Sequence, residues 1–145
     1  MDVTFMVWLT SRATTDLLDA ALAPTELDGD EFAIYSVLTA SPSITPTELA
    51  RWMAAPPTTV SSYVKRFEAR GHVKREPNPA DRRSYRIKLT PAGRRAYRSA
   101  AAKFVPLRTA VARRLGDRED EVREALVTLR TVLDELRHPA LDQTK

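Results

Sequence analysis

At 145 residues the chain is one domain's worth, long enough to bury a core and short enough that a partner subunit bears on its stability. It has no cysteine, and its two histidines, His72 and His138, stand far apart, which excludes disulfides, thiolate chemistry, cysteine-ligated metal and a compact histidine site. The net charge of +4 is unevenly divided: residues 51–98 hold thirteen Lys and Arg against Glu68, Glu76 and Asp81, a surplus of +10 that leaves −6 for the remainder.

No apolar run approaches the roughly 18 residues of a membrane span. The opening MDVTFMVWLTSRATTD lacks the basic start and small-residue cleavage site of a secretory signal, so a cytosolic location is expected. A basic middle suggests a polyanionic partner, although a charged stretch also serves as plain solvated surface.

Met6, Leu9, Ala13, Leu17 and Ala20 recur at steps of three and four, and Phe5, Trp8, Leu18 and Leu22 widen that stripe. A first helix packing on two sides follows. Residues 23–30, with Pro24 and Gly29, read as a loop. Residues 31–40 form a short helix that is apolar on most sides through Phe32, Ile34, Tyr35, Val37 and Leu38, and therefore central.

In SITPTELARWM, Thr45 is placed to cap, Pro46 to open a helix, and Glu48 to return its carboxylate to the cap. MAAPP breaks this helix near Ala54, and a second runs from Pro57 to Gly71. Two short helices joined by a tight turn make a helix-turn-helix. Around the second, at about 100° per residue, Val60, Val64 and Phe67 share one side with Tyr63 at its margin; Thr58, Ser62, Lys65 and Arg66 lie opposite, with Thr59 and Ser61 on the edges. Short hydroxyls near the start and cations further along suit a helix entering a DNA groove. The same face also fits an ordinary solvated helix.

After Gly71, HVKREP alternates as far as Pro77, NPAD turns, and RSYRIKL returns with Tyr85, Ile87 and Leu89 on one face and Arg86 and Lys88 on the other. This predicts a hairpin wing with Asp81, Arg82 and Arg83 at its tip. There the Asp81 carboxylate is expected to brace the Arg83 guanidinium, with Arg82 alongside. Arginine suits both the minor groove and phosphates.

Thr90 and Pro91 open a long helix whose stripe Tyr97, Ala100, Phe104, Leu107, Val111 and Leu115 runs to Gly116, with a kink expected at Pro106. Past Asp117, Val122, Leu126, Leu129, Leu133 and Leu136 repeat at four and three and end before Pro139. A stripe of this kind is commonly covered within the monomer. A broad apolar helix at each end nevertheless exceeds what the middle covers, which predicts a two-fold dimer built from Phe5, Trp8 and Leu9 with the C-terminal leucine stripe.

The run TPTELARWM, then TTVSSYVKRFEARGHVKRE, then Asp81 and Arg83 with Ile87, Leu89, Thr90 and Gly93 at the spacing D-x-R-x-x-x-[V/I]-x-L-T-x-x-G, resembles the MarR family of bacterial transcriptional regulators. The resemblance is specific from about residue 45 to 93. It implies a mainly α fold with a small two-stranded β wing, a winged helix-turn-helix embedded in an α-helical dimerisation scaffold. It divides the chain into a dimerisation helix and loop (1–30), the winged helix-turn-helix (31–90) and C-terminal linker and dimerisation helices (91–145). By the same resemblance, double-stranded DNA is met by Thr47, Thr58, Thr59, Ser61, Ser62, Lys65, Arg66, Asp81, Arg82 and Arg83. A small aromatic or phenolic effector would sit near Trp8, Arg12, Tyr35 and Trp52, and no metal or cofactor is implied. Four residues depart from the family pattern: Phe67 replaces Leu, His72 stands at a commonly apolar position, Pro56 replaces a polar cap and Ala54 the turn glycine.

The function expected is a repressor-type regulator, binding a pseudo-palindromic operator as a homodimer whose recognition helices address half-sites about 34 Å apart. The rival is a winged-helix adaptor that binds protein, for which contact with duplex DNA would be weak and sequence-blind. An enzyme finds no support among residues that include four glycines, no cysteine and no convincing Ser/His/Asp set.

Overall fold

The computed structural model describes residues 1–137; His138 and Pro139, named above, lie outside them. In chain order the elements are α1 (Val3–Leu22), α2 (Gly29–Ala40), α3 (Pro46–Met53), α4 (Pro57–Ala69), β1 (Val73–Pro77), β2 (Tyr85–Leu89), α5 (Pro91–Leu115), a 3₁₀ turn (Gly116–Arg118) and α6 (Glu119–Arg137). The fold is mainly α with one antiparallel two-stranded sheet, a winged helix-turn-helix. The chain divides into two compact units, one covering Met1–Leu107 and the other beginning at Arg108.

In the first unit, α2 starts two residues earlier than its apolar pattern suggests. Asp28 explains this: its carboxylate accepts the Glu31 N–H at 2.8 Å while Glu31 accepts the Asp28 N–H at 3.4 Å, so Gly29 is drawn into the first turn. α2 buries Phe32, Ile34, Tyr35 and Leu38, as expected of a central helix. In α3 the same device recurs, Thr45 N–H donating to Glu48 at 2.8 Å and Glu48 N–H to the Thr45 hydroxyl at 3.3 Å. The first of these bonds holds the Glu48 carboxyl below its usual range.

The turn between α3 and α4 places Ala54 at φ 51°, ψ 37°, in the left-handed region. A Cβ there costs about 1–2 kcal/mol. Ala54→Gly relieves it but adds about 0.5–1 kcal/mol of unfolded-chain entropy. The expected net effect in denaturant unfolding is a gain of about 0.5–1 kcal/mol; a loss would mean the methyl group contributes contacts that outweigh the strain.

Val60, Val64 and Phe67 of α4 are fully buried. Gly71, at φ 69°, reverses the chain so that its N–H reaches the Glu68 carbonyl and the His72 N–H reaches that of Phe67, each at 2.9 Å. β1 and β2 pair from Val73 with Leu89 to Pro77 with Tyr85, burying Val73, Ile87 and Leu89. Ile87 also donates to the Ile44 carbonyl at 2.8 Å, joining the wing to the segment before α3.

The core fills the space between α2, α3, α4, the strands and the first turns of α5, through Ala96 and Ala100. Phe67 meets the edge of the Tyr35 ring at 4.8 Å, so the enlarged residue is accommodated by an aromatic contact. Phe32 packs on Tyr97 and Phe104 with centroids 5.7 and 5.3 Å away. His72 is buried because its Nδ1 finds the Tyr35 hydroxyl at 3.0 Å and its Nε2 lies 3.6 Å from Glu26. A polar group at an apolar position is tolerated when it is satisfied.

α1 meets the core near its C-terminal end, through Leu18 and Leu22. It buries Leu22 alone, and Phe5, Met6, Trp8, Leu9 and Leu17 face outward. α5 continues through Pro106, whose missing N–H leaves the Ala102 carbonyl without its usual helical partner. In the second unit α6 buries no residue; Val122, Leu129 and Leu133 are half-buried, while Leu126 and Leu136 are exposed. No helix among the described residues is long and apolar enough to cross a membrane.

Candidate nucleic-acid interface

The outer face of α4 carries Thr58, Thr59, Ser61, Ser62 and Lys65, all exposed, and Thr47 on α3 is exposed as well. Ser62 donates its hydroxyl hydrogen to the Thr58 carbonyl at 3.0 Å and keeps its oxygen free to accept. α4 begins at Pro56–Pro57 without a side-chain cap, as the Pro56 substitution implies; the prolines carry no N–H and Thr59 donates to the Pro56 carbonyl at 3.0 Å, so the Thr58 N–H is the one left open in the first turn.

Five basic side chains of the lobe are engaged by acids. Arg66 and Arg70 turn back to Glu31 of α2, Nε to Oε1 at 3.3 Å and Nη1 to Oε2 at 3.0 Å. Arg75 of β1 grips Glu68 of α4 with two bonds of 2.8 Å and lies 4.4 Å over the Tyr85 ring. Lys74 and Lys88 share Glu76 at 2.8 and 3.4 Å. These cations assemble the lobe: they lock the wing to α4 and one strand to the other. Lys65, Arg82 and Arg83, by contrast, have no ion pair among the described residues, and all three are exposed. Arg66 was expected on the free face; its ion pair with Glu31 and its place 4.7 Å over the Tyr63 ring engage it elsewhere.

At the wing tip the Asp81 carboxylate does not hold the Arg83 guanidinium. Its Oδ1 accepts the Arg83 backbone N–H at 2.9 Å, while its carbonyl accepts the Ser84 N–H at 3.0 Å. A two-residue separation favours this local turn over a side-chain ion pair. Asn78 completes the tip, accepting from Ala80 N–H at 3.2 Å through its side chain and from Asp81 N–H at 3.2 Å through its carbonyl. Sequence reasoning passed over Asn78, although its position between two prolines was the available signal. The result is a fixed tip carrying two free guanidinium groups.

The four residues expected around an effector are not gathered. Tyr35 is fully buried and bonded to His72, and burial foremost drives its phenol pKa upward. Trp8 and Arg12 stand together on α1, guanidinium to ring centroid 6.0 Å. Trp52 lines a separate open cavity of about 270 Å³ with Ser41, Pro42, Ser43, Ile44 and Glu48. Of the expected dimer residues, Phe5 and Trp8 stack at 5.9 Å on the outside of α1, beside exposed Leu9. No group of three or more potential metal ligands occurs among the described residues.

A basic wing fixed beside an uncapped, hydroxylated helix defines the class: a winged helix-turn-helix with a cationic outer surface. Residues 26–84 match the family model described as MarR family. The multiple antibiotic resistance protein MarR of Salmonella typhimurium is 26% identical over 88 residues, which make up 61% of this chain and 61% of that protein. The transcriptional regulator MosR of M. tuberculosis, solved in complex with DNA, is 26% identical, with a TM-score of 0.81 over 94% of this chain and 99% of its own. A mutant of E. coli MarR complexed with operator DNA shares the fold, with a TM-score of 0.76 at 23% identity over 90% of this chain and 93% of its own. The chain is thus similar to MarR-family proteins through its winged-helix segment and in its fold.

Proposed function

We propose that this protein is a transcriptional regulator that binds double-stranded DNA sequence-specifically in the bacterial cytoplasm, as a homodimer on a pseudo-palindromic operator, with repression as its mode of action. The carrying observation is the division of the basic residues. Lys65, Arg82 and Arg83 are exposed and, like Arg51, Arg86, Arg95 and Arg98, have no ion pair among the described residues, while Arg66, Arg70, Lys74, Arg75 and Lys88 are taken up by Glu31, Glu68 and Glu76. The unpaired cations are the ones available to a phosphate backbone. The DNA complexes of MosR and of E. coli MarR support the same reading.

The outward apolar face of α1 and the unburied stripe of α6 support the homodimer. With Tyr35 enclosed, an aromatic or phenolic effector would have Trp8, Arg12 and Trp52 to meet. The decisive experiment is footprinting on the DNA upstream of the protein's own coding region. A symmetric protected site is expected, with log affinity falling against log salt at a slope of about −0.9 per phosphate neutralised. Weak, sequence-blind retention would favour the adaptor instead.

A further inference from the structure

Glu31 is a carboxylate only 2% exposed, set at the start of α2 rather than on the DNA-facing surface. Its Oε2 receives the Asp28 N–H at 3.4 Å and Arg70 Nη1 at 3.0 Å; its Oε1 faces Arg66 Nε at 3.3 Å, too far off line to count as a hydrogen bond. One residue earlier, Asp30 accepts the Tyr63 hydroxyl at 3.1 Å. Two successive acids of α2 therefore hold Tyr63, Arg66 and Arg70, which follow one another along α4 and its C-terminal cap at steps of three and four and form a single stripe. That stripe lies beside the face of Thr58, Ser61, Ser62 and Lys65, not on it.

The start of α4 has no side-chain cap, so nothing comparable fixes it there. Apolar contacts through Val60, Val64 and Phe67 give it a seat, but burial is non-directional and tolerates small rotations. Directed ion pairs do not. Buried ion pairs contribute little net stability, and their best-attested use is to select one arrangement among several.

Resting on the DNA-binding reading above, we propose that Glu31 is a positioning residue for sequence readout. It sets the rotation of the recognition helix α4 against α2 through Arg66 and Arg70, and it withholds those two arginines from indiscriminate contact with phosphate.

Glu31→Gln isolates this role, because glutamine still serves a capping box while losing the charge that holds both guanidinium groups. The measurement compares the footprinted operator duplex with a shuffled duplex of the same length, across a range of salt. For the variant, operator affinity is expected to fall about tenfold, the scale of one mismatched base pair. Affinity for the shuffled duplex should hold or rise, with the salt slope steeper by about 0.9 for each freed arginine that reaches a phosphate. A purely structural role would lower both affinities in parallel and leave the slope unchanged, which overturns the proposal. So does a variant that discriminates as well as the parent. A parent that fails to discriminate between the two duplexes overturns the functional reading as well. If Glu31→Gln does not fold, Arg66→Gln and Arg70→Gln, at partly exposed positions, carry the comparison of operator with shuffled duplex: lost discrimination with no steeper slope is expected, since the substituted arginine cannot reach phosphate, and unchanged discrimination overturns the proposal.

Discussion

Gly93→Ala lowers the thermal midpoint of unfolding by on the order of 10 °C, the equivalent of about 3 kcal/mol or more for a chain of this size. Gly93 lies in the first turn of α5, where a Cβ would fall 2.1 Å from the carbonyl oxygen of His72, 2.9 Å from its carbon and 3.0 Å from Leu89 Cδ2. The first two are backbone atoms with no freedom to move. His72 is anchored on every side: its N–H bonds Phe67, its carbonyl accepts the Thr90 N–H at 2.9 Å, and its ring bonds Tyr35. Thr90 adds a bond from its hydroxyl to the Gly71 carbonyl at 2.6 Å while accepting the Gly93 N–H at 3.1 Å. α5 thus begins pressed against the junction of α4 and β1. To admit a methyl group, α5 must lift or the junction must shift, and either change moves the wing relative to the recognition helix. Calorimetry should find the loss. A variant melting with the parent would mean that α5 yields cheaply and that the close approach is not a constraint.

This contact also shows where sequence reading stops. Gly93 belongs to the spacing that carries the family resemblance, but no local pattern says that the third residue of a helix must lack a side chain; the reason lies twenty-one residues earlier, at His72. The elements themselves were legible because their causes are local. Thr45 with Glu48, the proline pair, Gly71 and the alternation of Tyr85, Ile87 and Leu89 each act within a few residues. The start of α2 was misjudged by the same local logic, since Gly29 reads as a loop residue unless Asp28 is seen to cap. For the interface, periodicity placed Thr58, Ser62 and Lys65 on the outer face of α4. It could not separate Lys65 from Arg66, which differ by one residue and by an acid thirty-five residues upstream, Glu31. Tyr35 shows the same gap: its hydroxyl partner, His72, is thirty-seven residues away, so a core residue was taken for a ligand contact.

Replacing Arg82 and Arg83 together by Ala is the functional counterpart, expected to weaken operator binding by about ten- to a hundredfold near physiological salt and to make the salt slope shallower by about 1.8 if both reach phosphate. The substitution is unusually clean. The tip is shaped by Asn78, by the Asp81 carboxylate and by backbone bonds, and Asp81 accepts the backbone N–H of residue 83, which alanine keeps. Neither guanidinium supports the fold, so the unfolding free energy should stay within about 0.5 kcal/mol of the parent. Asp81→Ala acts differently: it leaves both charges in place but loosens the loop that presents them, so affinity falls less and the salt slope holds. Lys88→Ala supplies the contrast, because that ammonium lies 3.4 Å from Glu76 and its charge is already partly answered. If charge alone mattered, removing Lys88 would weaken binding about as much as removing a tip arginine. Should the double variant bind operator like the parent across the salt range, the wing would not touch DNA and the free arginines would be ordinary surface; should Lys88→Ala match a tip arginine, the division of the basic residues into structural and DNA-facing sets would fail.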